Sequence, residues 1–320
     1  MKKILVTGAG GFIGGHLVRK LLEQHKDLNI VAVDQKNLAN WYQISEIENI
    51  VGDLKNLDFC YKIMENVEIV YNLAADMGGM GFIEKHKADC MLSSIINTNL
   101  LLTARDAKAL QYFFASSACV YNASKQINRV NPPLKEDDAY PADPEDGYGW
   151  EKLFGERMCR HFSEDFGLDV RIARFHNIYG PKGTFDGGRE KAPAAICRKV
   201  ISAIKNKSYE INIWGDGEQT RSFTYISDGL DGIQKLMESS FSSPLNIGSA
   251  ELVSINQLVS IVEGIAGVKL KRTYDLSAPK GVMGRSSDNT LCKAALGWEP
   301  KVTLIDGMTK TYQWIYSQME

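Results

Sequence analysis

Near its amino terminus the chain reads Ile4-Leu5-Val6-Thr7-Gly8-Ala9-Gly10-Gly11-Phe12-Ile13-Gly14, an apolar strand pattern that runs into a glycine-rich turn and a helix. Glycines with this G-x-x-G-x-x-G spacing allow a tight turn, a close approach of the backbone to a diphosphate, and close packing of the helix on the strand. We assign these three functions to Gly8, Gly11 and Gly14. With Phe12 and Ile13 between them, they predict a dinucleotide-binding turn.

Buried strands and helices alternate through the first half of the chain. The predicted strands are 4–7, 30–33, 50–51, 69–74, 112–116 and 170–175, and the predicted helices are 17–24, 58–65, 83–110 and 149–165. Such βαβ units predict an α/β fold with a Rossmann-type doubly wound parallel sheet, which binds ligands at the carboxyl ends of its strands.

The pattern changes to shorter elements after Pro181. Here the predicted helices are 192–204, 228–239, 255–265 and 305–316, and the predicted strand is 210–214. We therefore predict an NAD-binding domain at residues 1–180 and a smaller C-terminal α/β substrate-binding domain at residues 181–320. Segments of the second part are expected to cross back to the sheet.

Composition and charge narrow the function classes. The 320 residues include 37 Lys and Arg against 39 Asp and Glu, a net charge of −2 that gives no indication of a nucleic-acid or membrane-surface partner. No apolar run is long enough to span a bilayer, and the first residues do not form a signal peptide. The six cysteines contain no C-x-x-C pair, so we predict no metal site and a cytoplasmic location.

Asp34 closes the second predicted strand, about twenty residues after the last glycine of the turn. A carboxylate at this place binds the ribose 2′-hydroxyl of NAD and repels the 2′-phosphate of NADP, so NAD is the predicted cofactor. The alternative is a solvated strand end. Asp53 would lie beside the adenine, and Leu73 and Ala74, at the end of the fourth predicted strand, are further predicted cofactor contacts.

Tyr148 and Lys152 are four residues apart at the start of a predicted helix and so share one face. A phenol is a weak base at neutral pH, and we expect the ammonium and the positive nicotinamide ring to lower its pKa. Tyr148 and Lys152 are both predicted to contact the cofactor. Ser117 can bind the substrate hydroxyl from which the Tyr148 phenolate would take a proton. The chain resembles the extended short-chain dehydrogenase/reductases (NAD-dependent epimerases and dehydratases) that act on nucleotide sugars. The resemblance lies in the glycine-rich turn, the aspartate, the serine and the Tyr-x-x-x-Lys motif, in that order.

Further stretches narrow this resemblance to one branch. They are Met77-Gly78-Gly79-Met80-Gly81, Ser116-Ser117-Ala118-Cys119, Arg174-Phe175-His176-Asn177, Arg189-Glu190-Lys191-Ala192-Pro193 and Glu218-Gln219-Thr220-Arg221-Ser222. Together they closely resemble the GDP-mannose 3,5-epimerase branch, along residues 1–316. The resemblance implies NAD-dependent epimerisation of a GDP-linked mannose-type sugar at C3, at C5 or at both, through a transient 4-keto intermediate.

This chemistry needs two acid/base groups on opposite faces of the sugar ring, because a ketone at C4 acidifies the hydrogens at C3 and C5. The resemblance implies Cys119, as thiolate, for the base and Lys191, as ammonium, for the acid. The pKa of Cys119 must then fall below that of a free thiol, and we expect the charge of Lys191 to contribute. The alternatives are a small buried cysteine and a solvated lysine.

Other residues implied by the resemblance bind the substrate without reacting. They are Gly78, Ser117, Ala118, Asn177, Glu190, Ala192, Lys199, Gln219, Thr220, Arg221, Ser222 and Arg285. Lys199, Arg221 and Arg285 suit the diphosphate, since a guanidinium pairs with phosphate oxygens through two hydrogen bonds. The resemblance also implies a homodimer through the predicted helices 83–110 and 149–165.

Related activities stay open at this point. Asn122 stands where the branch has a proline in the loop that borders the sugar, so the identity of the hexose stays open. A GDP-hexose and a GDP-heptose are both candidate substrates. A 4-dehydrogenase is one alternative activity. A 4-epimerase is another, and it would leave Cys119 and Lys191 without a function. An epimerase–reductase would use NADPH, which Asp34 disfavours, and a histidine acid, for which His176 is the candidate.

Two other classes fit less well. A 4,6-dehydratase requires an Asp-Glu pair where Ala118-Cys119 stand. A non-catalytic NAD-binding regulator would not need the serine, tyrosine and lysine set.

Overall fold

The computed structural model describes residues 2–24, 28–42 and 47–320. Its strands are β1 (Lys3–Thr7), β2 (Asn29–Asp34), β3 (Glu48–Val51), β4 (Ile69–Asn72), β5 (Gln111–Ser117), β6 (Asp169–Phe175), β7 (Ile178–Tyr179), β8 (Glu210–Trp214), β9 (Thr220–Ser222), β10 (Thr224–Tyr225), β11 (Leu245–Ile247), β12 (Leu252–Ser254), β13 (Lys271–Asp275) and β14 (Gly284–Arg285). Its α-helices are α1 (Phe12–Gln24), α2 (Leu57–Met64), α3 (Met80–Ile83), α4 (Lys87–Met91), α5 (Ser93–Asp106), α6 (Tyr148–Phe166), α7 (Ala192–Lys205), α8 (Ile226–Glu238), α9 (Ile255–Ala266), α10 (Thr290–Leu296) and α11 (Leu304–Gln318). Single-turn 3₁₀ helices lie at Leu38–Asn40, Ala118–Val120, Ala123–Gln126 and Glu136–Ala139.

A parallel sheet of seven strands, in the order β3-β2-β1-β4-β5-β6-β11, organises the described chain. In β1, Ile4 and Val6 pack into the core on one face and Leu5 packs into the core on the other, so the strand is apolar throughout. The sheet grows in opposite directions from β1, and a crevice for ligands forms at the carboxyl ends of strands at such a point. The predicted doubly wound sheet is confirmed.

Local capping explains why several predicted helix bounds agree with the structure. The hydroxyl of Ser254 accepts a hydrogen bond from the N–H of Gln257, and the Gln257 side chain accepts one from the N–H of Ser254. This capping box starts α9 at the residue where its apolar periodicity begins.

Across the described ranges, no helix combines the length and the apolarity that crossing a bilayer requires.

The prediction of one helix over 83–110 is wrong. The structure has α3, α4 and α5 there, with breaks at residues 84–86 and at Leu92. No glycine or proline marks these breaks, so the local sequence carries no signal for them. Tertiary packing accounts for them, since Phe82, Ile83 and Cys90 form one buried cluster with Tyr148 at the start of α6.

Strand β11 comes from the part of the chain after residue 180 and pairs with β6 in the main sheet. Its buried Asn246 accepts a hydrogen bond from the Tyr121 hydroxyl and donates one to the carbonyl of Leu134. Other late strands form a small sheet in the order β12-β9-β14. The division at residues 180 and 181 stays a prediction.

Candidate active site

A cavity of about 800 Å³ lies at the carboxyl ends of the sheet strands. Its volume is within the range of about 300–1,000 Å³ that is usual for sites that bury a small ligand. One half of the wall comes from the turn after β1 and from the ends of β2 and β4. The other half comes from the end of β5, the start of α6, the start of α7 and residues near β9 and β14.

The turn between β1 and α1 fits the phosphates of a dinucleotide. The N–H of Gly11 donates to the carbonyl of Gly8 at 3.0 Å, and α1 begins at Phe12. A helix start leaves backbone N–H groups free to bind an anion. A Cβ atom on Gly14 would lie 2.2 Å from the Gly8 oxygen, so the close approach of α1 to this turn requires glycine there.

The Asp34 carboxylate is buried at the end of β2 and lines the same cavity. Its Oδ1 accepts a hydrogen bond from the N–H of Lys36 at 3.0 Å, and the Lys36 ammonium donates to the carbonyl of Gly10 at 3.3 Å. The other predicted cofactor residues, namely Gly8, Gly11, Phe12, Ile13, Gly14, Asp53, Leu73 and Ala74, line the cavity as well. This half of the cavity therefore fits NAD.

We expect Gly14→Ala to destabilise the fold by about 1–3 kcal/mol and to abolish tight NAD binding, because the new methyl group would overlap the Gly8 carbonyl. Thermal unfolding and fluorescence titration with NAD measure the two effects. The matched control is Gly264→Ala in α9, where a Cβ atom meets nothing within 4 Å and helix stability rises by about 0.5–1 kcal/mol. Wild-type NAD affinity in Gly14→Ala would contradict the assignment of the turn.

Tyr148 is the first residue of α6, and the helix starts directly against the carboxyl end of β5. A Cβ atom on Gly149 would lie 2.3 Å from the carbonyl oxygen of Cys119, so glycine permits this approach. The phenol hydrogen-bonds the hydroxyl of Ser117, and the Lys152 ammonium lies 5.6 Å from the centre of the Tyr148 ring. The structure thus brings the predicted serine, tyrosine and lysine together on the cavity wall.

Burial raises the pKa of Tyr148 well above its ordinary value, and Cys119 and Glu151 act in the same direction. The Lys152 ammonium is itself 3.4 Å from the Glu151 carboxylate. In the protein alone, Lys152 therefore does not bring the phenol towards neutral pH. The expected lowering of the Tyr148 pKa requires the second positive charge named above, that of the nicotinamide ring.

Cys119 is half-buried in a 3₁₀ turn after β5, within an ionic cluster. Its Sγ is 3.7 Å from Nη1 of the buried Arg285, and Nη2 of the same guanidinium is 2.5 Å from Oε1 of Glu145. The backbone N–H of Glu145 donates to the carbonyl of Cys119 at 3.0 Å. Sequence reasoning missed Glu145, and the available signal was its position in the turn that enters α6.

Burial raises the pKa of Cys119 to about 11, the charge of Glu145 contributes to the rise, and the charge of Arg285 opposes it. This is the opposite of the expected lowering. In the protein alone, Cys119 is therefore a thiol at neutral pH. Arg285 was expected at the diphosphate, and the structure places its guanidinium against the sulfur; a phosphate contact by this residue stays a prediction.

Lys191 is the N-cap residue of α7 and faces the same cavity. Its position depends on the loop after β4, where the N–H of Gly79 donates to the carbonyl of Arg189 at 3.1 Å. Burial lowers the pKa of Lys191, and the interaction with Cys119 opposes this shift. Cys119 and Lys191 thus line one cavity, where a thiolate on Cys119 would act on the Lys191 ammonium.

Most of the predicted substrate residues also line this cavity, namely Gly78, Ser117, Ala118, Asn177, Glu190, Ala192, Lys199, Gln219, Arg221 and Arg285. Thr220 and Ser222 do not lie on its wall. The Thr220 hydroxyl binds the carbonyl of Arg129, and the carbonyl of Ser222 accepts a hydrogen bond from Asn177 at 2.9 Å. Both residues thus support neighbouring segments.

His176 lies outside the cavity wall and is completely buried. Its Nε2 is 2.8 Å from Oδ1 of Asn246, and burial lowers its pKa to about 3. A histidine in this environment cannot act as the acid that an epimerase–reductase needs.

Among the described residues, no group of three or more His, Cys, Asp and Glu side chains is arranged to hold a metal ion.

The chain is similar to known proteins along nearly its whole length. The sequence pattern of the NAD dependent epimerase/dehydratase family matches residues 4–248. GDP-mannose 3,5-epimerase of Arabidopsis thaliana is 45% identical over 320 residues, which cover 99% of this chain and 83% of the relative. GDP-mannose 3,5-epimerase 1 of Oryza sativa subsp. indica is 45% identical over 322 residues, with 99% and 82% covered.

Solved structures show the same architecture. UDP-glucose 4-epimerase of Thermotoga maritima, with UDP-glucose, superposes with a TM-score of 0.88 at 25% identity and covers 99% of this chain and 100% of its own. UDP-glucuronic acid 4-epimerase of Bacillus cereus, in complex with UDP-glucuronic acid and NAD, has a TM-score of 0.84 at 27% identity, with 99% and 100% covered.

Proposed function

The chain belongs to the NAD-dependent epimerase/dehydratase family, and from this premise we propose that it epimerises a GDP-linked mannose-type sugar at C3, at C5 or at both. Its cofactor is NAD. The observation that carries the proposal is the presence of Cys119 and Lys191 in one cavity with Tyr148. Inversion beside a ketone needs such an acid/base pair.

The residues that would hold the cofactor are the turn Gly8–Gly14, for the diphosphate, and Asp34, for the adenosine ribose. When bound, NAD supplies reversible hydride acceptance at C4 of the sugar, so that the sugar is a 4-ketone between the two transfers and no net oxidation occurs. Tyr148 takes the proton of the C4 hydroxyl and returns it at the end. The Ser117 hydroxyl orients this hydroxyl, since it already binds the phenol.

The ketone makes the hydrogens at C3 and C5 acidic enough for a protein side chain to remove. Cys119 would remove the proton from one face of the ring, and Lys191 would deliver a proton to the opposite face. The guanidinium of Arg285 beside the sulfur stabilises the thiolate that this step needs. Because burial lowers the pKa of Lys191, its ammonium gives up a proton more readily than an exposed lysine does.

The second candidate is a nucleotide-sugar 4-epimerase, because two structural neighbours carry that name. A 4-epimerase uses the tyrosine and the cofactor alone, and it would leave Cys119 and Lys191, which line the same cavity, without a function. We therefore rank it below the first proposal.

Proton exchange with solvent separates these two activities. The protein with bound NAD is incubated with GDP-mannose in D₂O, and NMR locates deuterium in the recovered sugar. We expect label at C3, at C5 or at both. Inversion at C4 with no label at either carbon would support the 4-epimerase instead, and a parallel incubation with a GDP-heptose distinguishes hexose from heptose.

We also propose that the protein is a homodimer and that it works in the cytoplasm. Met91, Leu92 and Ile95 near the start of α5, and Trp150 and Phe154 on α6, are apolar and exposed, and a second copy would cover them. Six unpaired cysteines suit a reducing compartment. We expect light scattering to give twice the mass of the 35.6 kDa chain for the wild type. For Phe154→Glu we expect the mass of a single chain.

A further inference from the structure

Glu145 lies at the active-site cavity without a function in the reaction described above. It precedes α6 by three residues, lines the cavity and has a largely buried side chain. Its Oε1 pairs with Arg285, whereas its buried Oε2 has no well-aligned hydrogen-bond donor among the described residues. The Cys119 thiol interacts with this carboxylate, so Glu145 acts on the sulfur directly as well as through Arg285.

The Arg285 guanidinium connects this carboxylate to the sulfur. Nη2 binds Glu145 at 2.5 Å, Nε donates to Oε1 of Gln126 at 2.5 Å, and Nη1 lies 3.7 Å from Sγ of Cys119. The guanidinium is planar and rigid, so the first two contacts fix the position of the third nitrogen. Arg285 cannot turn away from the sulfur without breaking a buried ion pair.

We propose that Glu145 is a positioning residue for Cys119: it holds Arg285 against the sulfur, and its negative charge keeps the sulfur protonated in the absence of substrate. This inference rests on the proposed function, because it takes Cys119 as an acid/base group. It deepens that proposal by naming the residue that sets how readily the cysteine loses its proton.

Two opposite charges act on the sulfur of Cys119. The guanidinium favours the thiolate, and the carboxylate favours the thiol. The other titratable or charged groups near Cys119 are Lys191 at the start of α7, Tyr148 on α6, and Arg221 on β9. A substitution at residue 145 leaves all of them in place, so a change in the thiol titration reports the carboxylate.

The test is the rate of alkylation of Cys119 by iodoacetamide as a function of pH, without sugar or added cofactor. The other five cysteines are buried, so the half-buried Cys119 reacts first, and mass spectrometry confirms the labelled residue. Only the thiolate reacts. We expect Glu145→Gln, which keeps an oxygen for Arg285, to lower the midpoint by at least about one pH unit and to raise the rate at pH 8 about tenfold.

The matched control is Asp146→Asn, which removes the neighbouring carboxylate, an exposed partner of Lys87 at 2.7 Å. Its midpoint should equal that of the wild type. Glu145→Asp moves the carboxylate away by one methylene group, so it should lower the midpoint of the alkylation profile by less than Glu145→Gln does. This variant replaces Glu145→Gln in the test if Glu145→Gln does not fold.

An unchanged or higher midpoint in the folded variant at residue 145 would overturn the inference, as would an equal shift in Asp146→Asn. A residue that only supports the fold would not move this pH profile. Because the titration uses no nucleotide sugar, failure to turn over GDP-mannose would contradict the proposed function and leave the thiol result standing.

Discussion

Tyr148→Phe is expected to lower turnover by about a thousandfold, with NAD binding retained, since general acid–base catalysis contributes a factor of about 10²–10⁴. The substitution removes one oxygen from a side chain that is otherwise buried and packed beside Cys90 and Phe82, so the fold should persist. Without the phenol, the proton of the C4 hydroxyl has no acceptor beside Ser117. Loss of C4 chemistry also prevents exchange at C3 and C5.

Deuterium uptake from D₂O and the amount of NAD that stays with the protein measure the two parts of this prediction. Tyr316→Phe is the matched control, because it makes the same chemical change on the exposed end of α11, outside the cavity wall. Full turnover in Tyr148→Phe would exclude the tyrosine as the C4 acid/base.

The second large effect concerns the cysteine. Cys119→Ala should reduce deuterium uptake at C3 and C5 by about a thousandfold and leave NAD affinity unchanged, because the thiol lies in the half of the cavity formed by the end of β5 and the starts of α6 and α7 and not at the turn after β1. Under the proposed mechanism, Lys191 would still donate a proton to one face of the ring, but the base that removes a proton from the other face would be lost. The 4-ketone itself should still form, and reduction with labelled borohydride would trap it.

Cys292→Ala controls for the loss of a thiol as such, since Cys292 is buried in the core away from the cavity wall. The folded fraction of Cys292→Ala should catalyse deuterium exchange at C3 and C5 at the wild-type rate. If Cys119→Ala exchanged at C3 and C5 as fast as the control, the cysteine would have no part in the inversion.

The sequence predicts the sheet well because its signals are local. The apolar strands, the glycine turn and the capping box at Ser254 each lie within a few residues of the structure that they determine. The predicted helix 83–110 failed for the opposite reason. Its breaks depend on the contact of Phe82 and Cys90 with Tyr148, more than fifty residues away, and no local pattern encodes that contact.

Some residues of the candidate site could likewise be predicted from local motifs, whereas others depend on contacts between distant parts of the chain. Tyr148, Cys119 and Lys191 could be chosen because motifs around them are contiguous, and the structure brings them to one cavity. The importance of Glu145 depends on Arg285, which is 140 positions later in the chain. The direction of the Cys119 pKa shift could not be predicted either, because it depends on burial and on that distant ion pair.

The pairing of β11 with β6 has a consequence for attempts to prepare residues 1–180 alone. Ala173 and Phe175 of β6 are buried in a core that they share with residues after 180, and β11 pairs with the last three residues of that strand. A fragment that ends at residue 180 would expose an apolar edge with unpaired N–H and C=O groups, a template for intermolecular β-pairing. We expect such a fragment to aggregate, so limited proteolysis or truncation at that point would not yield an independent nucleotide-binding module.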